Sequence, residues 1–246
     1  MFNKIKSKIE KGETVTLTFV GDSITQGTTG HSTSEETFVA YFTNCLAAEF
    51  ADAKIVRYDG KVVGEVKPLD GYDEVLVQDG EKGRINVLRS GVGGNTVLRA
   101  MNRFSDYTGV LPCGTHSDFI FTMFGINDAL MPDPKKYVTN DVFKVQYSEM
   151  LDKLMETEPQ AELIVLTATT NGDSIREYVY RTYEIVKEKN LLMIDTYDLW
   201  TKHYDPKADN YGHGDWLFGH GDACHPMPKA AKIMAEFIYD NFKELK

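Results

Sequence analysis

Cysteine is scarce in this chain of 246 residues: only Cys45, Cys113 and Cys224 occur, odd in number, far apart and without a CxxC pair. That spacing excludes a disulfide framework and a thiolate zinc site. Long apolar runs are missing too. No stretch of about 18 apolar residues occurs, so no membrane span is expected. Positive charge is in deficit, with 27 Lys and Arg against 37 Asp and Glu, a formal net charge of −10. An acidic chain with no basic run repels phosphate backbones, which argues against nucleic acid as a partner. The same charge disfavours anionic membrane surfaces. Basic residues at Lys4, Lys6 and Lys8 are followed by no apolar run. The N-terminus therefore reads as a charged stretch leading straight into the first strand, not as a secretory leader. The expectation is a cytoplasmic protein; a chain trimmed of its leader would read alike.

What is present is the composition of a globular protein, 42% hydrophobic and 26% charged. Short apolar runs alternate with helical patterns. Val15 to Val20, Ile85 to Leu88, Phe119 to Phe124, Leu163 to Leu166 and Leu191 to Ile194 read as five strands. Continuous apolar runs are what a parallel sheet covered on both faces requires. Phe38–Phe42–Cys45–Leu46–Phe50 follows helical spacing. So do Phe143–Tyr147–Met150–Leu154, Ile175–Val179–Thr182–Val186 and Ala230–Ile233–Met234–Phe237–Ile238. The alternation implies a doubly wound α/β sandwich. No Pro/Gly/Ser-rich linker interrupts it, so a single domain over 1–246 is expected. Residues 52–84 stand apart as an insertion. Lys54 to Val66 and Val75 to Gln78 read as β-hairpin material, with Asp-Gly at 59–60, 70–71 and 79–80 as turns. This insertion either walls the site or builds a contact between copies of the chain. Residues 201–224 form a long polar loop rich in Gly and His, of the kind that is often functional.

Ligands bind at the carboxyl ends of strands in open parallel sheets. The first strand ends in Gly21-Asp22-Ser23, the second in Ser90-Gly91-Val92-Gly93-Gly94-Asn95-Thr96, and the third in Gly125-Ile126-Asn127-Asp128. Asp222-Ala223-Cys224-His225-Pro226 precedes the last helix. A serine hydroxyl is a weak nucleophile that needs an adjacent base, and histidine supplies one near neutral pH. Asp222, three residues before His225, can orient the imidazole through Nδ1 and leave Nε2 for Ser23. Acyl transfer also needs donors for the developing oxyanion. The backbone N–H of Ser23, the backbone N–H of Gly94 and the side-chain amide of Asn127 are the candidates.

These four segments, in this order and over nearly the whole chain, resemble the SGNH hydrolase superfamily, the GDSL esterases and lipases. That family is marked by GDS, a glycine block, GxND and DxxH. Ser23, Gly94, Asn127 and His225 match its namesake residues, and Asp222 matches the triad aspartate. The glycine block departs from the pattern at Arg89, where the family often has Asn. Gly94 is chosen for its spacing to Thr96, with Gly93 as the fallback. The resemblance implies a three-layer α/β/α sandwich with a five-stranded parallel, flavodoxin-like sheet. It also implies metal-independent ester hydrolysis with no cofactor. A short-chain or acetyl ester of a carbohydrate or other small polar alcohol is the expected substrate, with longer acyl esters or thioesters as the alternative.

Each piece alone has a structural reading. Gly-Asp-Ser after a strand is commonly a turn or helix cap, and Gly91-Val92-Gly93-Gly94 lacks the last glycine of a dinucleotide fingerprint. Asp22 and Asp128 are read as holding turns, and Cys224 as a small packed residue. Trp216 and Phe218 are candidates for substrate contact, with core packing as the alternative. His213, Asp215, His220, Asp222 and His225 form a ligand-type cluster, but the spacing matches no metal motif and leaves Ser23 and Asn127 without a role.

Overall fold

The computed structural model describes residues 1–27, 34–63, 68–130, 138–169, 173–203 and 225–245. Seven strands form one sheet: β1 (Thr14–Gly21), β2 (Lys54–Gly60), β3 (Tyr72–Gln78), β4 (Arg84–Gly91), β5 (Phe119–Met123), β6 (Glu162–Leu166) and β7 (Leu192–Ile194). Their spatial order is β3-β2-β4-β1-β5-β6-β7. All neighbours pair in parallel except β3, which runs antiparallel to β2. After β1 the chain builds β2, β3 and β4 on one side of it and then passes to β5 on the other. A crevice therefore opens at the carboxyl end of β1, the switch point of the sheet.

The helices are α1 (Phe2–Glu10), α2 (Ser23–Gln26), α3 (Phe38–Glu49), α4 (Val97–Met101), α5 (Ile126–Leu130), α6 (Asn140–Thr157), α7 (Asp173–Lys189), α8 (Thr196–His203) and α9 (Pro228–Glu244). Alternation along β1 sends Val15, Leu17 and Phe19 to one face, where they meet α1, α3 and α9. Phe19 stacks on Phe121 with ring centroids 4.4 Å apart, and Phe42 and Phe242 close over that pair. The other face packs Val20, Ile120 and Val165 against Val97 and Ala100 of α4 and Phe143, Tyr147, Met150 and Leu154 of α6. Thr37, Thr96 and Thr139 cap α3, α4 and α6 by accepting the N–H of Ala40, Arg99 and Val142. Each such cap contributes about 1 kcal/mol.

The expected α/β/α sandwich is present, and the five expected strands are β1, β4, β5, β6 and β7. The count of five is corrected to seven. Residues 52–84 carry the expected β-hairpin as the antiparallel pair β2 and β3, and this hairpin widens the sheet at one end. Arg57 and Asp59 interrupt the apolar pattern of β2, yet both are buried as an ion pair, so an interior strand looks polar in sequence. The reading of the N-terminus as a charged stretch is corrected as well. It forms α1, whose Phe2, Ile5 and Ile9 are buried while lysines occupy positions between them. Residues 201–203 complete α8 rather than open a loop, and 204–224 lie outside the described residues. Among the described residues no helix is long and apolar enough to cross a membrane.

Candidate active site

β1 ends at Gly21, paired with Gly91 of β4 and Met123 of β5. Asp22 then caps α2 by accepting the Ile24 N–H at 2.9 Å. The cap turns the chain sharply and sets Ser23 at the first position of α2, nearly buried. His225 comes from the other end of the chain, three residues before α9. Its Nε2 lies 2.6 Å from Ser23 Oγ.

The glycine block and the Asn-Asp pair are tied together beside this contact. Asn127 donates its side-chain N–H to the Asn95 carbonyl at 3.1 Å, and an amide has a second N–H to offer. Asp128 accepts the Val97 N–H at 3.2 Å through Oδ1. Among the described residues its buried Oδ2 meets no hydrogen-bond partner. Burial pushes the Asp128 carboxyl up to about 7; the Val97 N–H opposes the rise and the charge of Asp22 adds to it. Burial likewise pushes Asp22 up to about 6, against the Ile24 N–H and the neighbouring His225. Asp22 holds its own turn, as expected. Asp128 does more than that, because Val97 belongs to another segment.

Gly93 and Gly94 differ in what their N–H groups meet. Gly93 N–H donates to Gln26 Oε1 at 2.6 Å. Among the described residues nothing accepts the Gly94 N–H.

Arg103, which sequence reasoning passed over, braces the whole arrangement. Its buried guanidinium donates to Asn95 Oδ1 at 2.7 Å, Ser90 Oγ at 3.1 Å, the Ser90 carbonyl at 2.8 Å and the Gly21 carbonyl at 3.2 Å. It thus joins the ends of β1 and β4 to the glycine block. A lone arginine after a short helix carries no signal of such a role, since most of its acceptors are backbone carbonyls or small polar side chains.

A small, partly open pocket adjoins Ser23 and His225. Among the described residues Ile24, Gly27, Glu36, Thr37, Phe38, Pro226 and Ala231 complete its lining, and it has room for about one water-sized group. Asp222, Trp216, Phe218 and Cys224 lie outside the described residues. So do His213, Asp215 and His220, on which the metal alternative rests.

A nucleophile-type hydroxyl, a hydrogen-bonded imidazole and two amide donors at one strand edge can carry out acyl transfer. The model of the GDSL-like lipase/acylhydrolase family matches residues 19–233 of the chain. No curated protein matches it. Among solved structures, a two-domain esterase active on acetylated mannans is similar at 16% identity and a TM-score of 0.64, covering 100% of this chain and 53% of that one. The chain thus spans about half the length of that esterase. An acetylxylan esterase from Geobacillus stearothermophilus is similar at 21% identity and a TM-score of 0.60, over 94% of this chain and 95% of that one. Another acetyl xylan esterase is similar at 16% identity and a TM-score of 0.63, over 92% and 99%. At such identities the likeness shows a shared fold.

Proposed function

The chain belongs to the GDSL-like lipase/acylhydrolase family, and from that premise we propose that it is a serine esterase that cleaves small acyl esters, foremost acetyl esters of carbohydrates. The observation that carries this reading is the 2.6 Å approach of His225 Nε2 to Ser23 Oγ. Ser23 Oγ attacks the ester carbonyl as His225 takes its proton. Asp222 orients the imidazole and stabilises its charged form. The N–H groups of Ser23 and Gly94 and the second amide hydrogen of Asn127 hold the oxyanion. His225 then protonates the leaving alcohol, and a water it activates releases the acyl group. No metal or cofactor takes part in these steps.

Two features support a small acyl group. The pocket beside Ser23 takes about one methyl-sized group, and its walls are chiefly apolar. Structural neighbours act, by their names, on acetylated xylan and mannan. The test is an ester panel from acetyl to long acyl chains with acetylated xylo- and manno-oligosaccharides, run on wild type and Ser23→Ala. Hydrolysis is expected for the acetyl esters and should fall by at least about 1,000-fold in Ser23→Ala. Turnover by Ser23→Ala at the wild-type rate would overturn the mechanism. Turnover confined to long acyl chains would overturn the substrate.

A further inference from the structure

Four charged side chains meet at the carboxyl ends of β2 and β4, outside the machinery described so far. Asp59 and Arg89 are register partners on these strands. Arg57 sends one fork to Asp59, with Nε on Oδ1 at 2.9 Å and Nη2 on Oδ2 at 3.0 Å. It sends a second fork to Glu35, with Nη1 on Oε2 at 3.1 Å and Nη2 on Oε1 at 2.6 Å. Arg89 Nε lies 3.0 Å from Asp59 Oδ1, and its Nη1 donates to the Ser34 carbonyl at 3.2 Å and to Thr37 Oγ1 at 3.1 Å. Two guanidiniums thus face two carboxylates, and the cluster is neutral. The Arg57 side chain is fully buried, whereas that of Glu35 is 58% exposed. Burial opposes the charge on Arg57, yet its bonds to Glu35 and Asp59 hold its pKa above the ordinary value.

Stability does not explain this cluster, because apolar residues of similar volume are often at least as stabilising as a buried ion pair. Fixed geometry does, since paired forks set orientation as well as distance. The fork of Arg57 holds Glu35 in the short turn Ser34–Glu36, while Arg89, tied to the same cluster through Asp59, holds the Ser34 carbonyl and Thr37; Thr37 and Phe38, directly after the turn, are two walls of the Ser23 pocket. The wall presses close. Gly27, which ends α2, has φ +80, and a Cβ there would meet Thr37 Cγ2 at 2.0 Å. A narrow, chiefly apolar recess suits the acyl side of an ester, while a sugar alcohol needs open polar surface.

We propose that Glu35 and Arg57 are specificity-determining positioning residues, whose ion pair clamps the Thr37–Phe38 wall against the Ser23 pocket and limits the acyl group to acetyl size. The inference rests on Ser23 being the nucleophile, as proposed above. Neither residue touches the reacting atoms; both act through the wall.

The experiment compares kcat/KM for p-nitrophenyl acetate, butyrate and hexanoate in wild type, Glu35→Ala, Glu35→Gln, Arg57→Lys and Ser23→Ala. In Glu35→Ala the acetate-to-hexanoate ratio is expected to fall about tenfold, the low end of what one misfitting methylene is worth in an apolar pocket. The change should come chiefly from a lower KM for hexanoate, with acetate turnover little altered. Arg57→Lys keeps the charge but loses the fork, and should shift the ratio in the same direction. If Arg57→Lys fails to fold, the two variants of the exposed Glu35 decide. An unchanged ratio, or an equal loss on all three esters, would overturn the clamp. Wild-type activity in Ser23→Ala would overturn the proposed function and the clamp with it, whereas an inactive Ser23→Ala beside an unchanged ratio would overturn the clamp alone.

Discussion

The side-chain carbonyl of Gln26 accepts the backbone N–H of Gly93 at 2.6 Å, and so one of two adjacent glycine donors is already engaged. Gly94 keeps its N–H available and sits at φ +72, a backbone conformation that side chains resist. Gly94→Ala should therefore lower kcat for an acetyl ester by about 10- to 100-fold, through strain and a displaced donor. In Gly93→Ala a Cβ would stand 3.1 Å from Gln26 Oε1, an atom at the end of a flexible side chain. A smaller loss is expected there. Steady-state kinetics of both variants on one ester check the order, and a larger loss at Gly93 would assign the oxyanion donor to Gly93.

The buried Asp128 predicts how stability depends on pH. Its pKa is raised to about 7 in the folded chain from an ordinary 3.8, so the folded state keeps a proton that the unfolded state has lost. Its contribution is therefore complete below about pH 4 and is lost as pH rises through about 7. Asp22 acts in the same direction and completes its change near 6. Asp128→Asn stays neutral and can still accept the Val97 N–H. It should flatten the slope and exceed wild type at pH 8 by on the order of 1–3 kcal/mol. Urea midpoints at pH 5 and pH 8 measure this. The same difference between the two proteins at both pH values would contradict it.

Arg103 predicts a large loss of stability from one side chain. Arg103→Met would strip the Gly21 and Ser90 carbonyls and Asn95 Oδ1 of a charged donor inside the molecule. A cost of about 3–5 kcal/mol is expected, read from chemical denaturation. Arg103→Lys should recover only part, because a single ammonium cannot span acceptors on three segments. A loss below about 1 kcal/mol for Arg103→Met would mean that water replaces the guanidinium.

The sheet was legible where burial on both faces leaves an unbroken apolar run, as over Leu163 to Leu166 of β6. At β2 the strand was legible as half of a hairpin but its place beside β4 was not, because Arg57 and Asp59, buried together as an ion pair, break the apolar run. The stripe Phe2, Ile5, Ile9 of α1 has helical spacing, but the lysines around it mask the pattern. The adjacency of Ser23 and His225 could be read from the order of short motifs at strand ends. The bracing by Arg103 could not, since it reaches an acceptor 82 positions away and most of its acceptors are backbone or small side chains common to any sequence.

Ser23 follows the first strand and His225 precedes the last helix, 202 positions apart. The hydroxyl and the imidazole meet only once α9 has docked on α1 and α3 across the face of the sheet. A chain with every strand paired but α9 astray would hold each reactive group and still be inert. On the mechanism proposed above, turnover thus requires that docking, and an activity assay doubles as a measure of whether the molecule has closed.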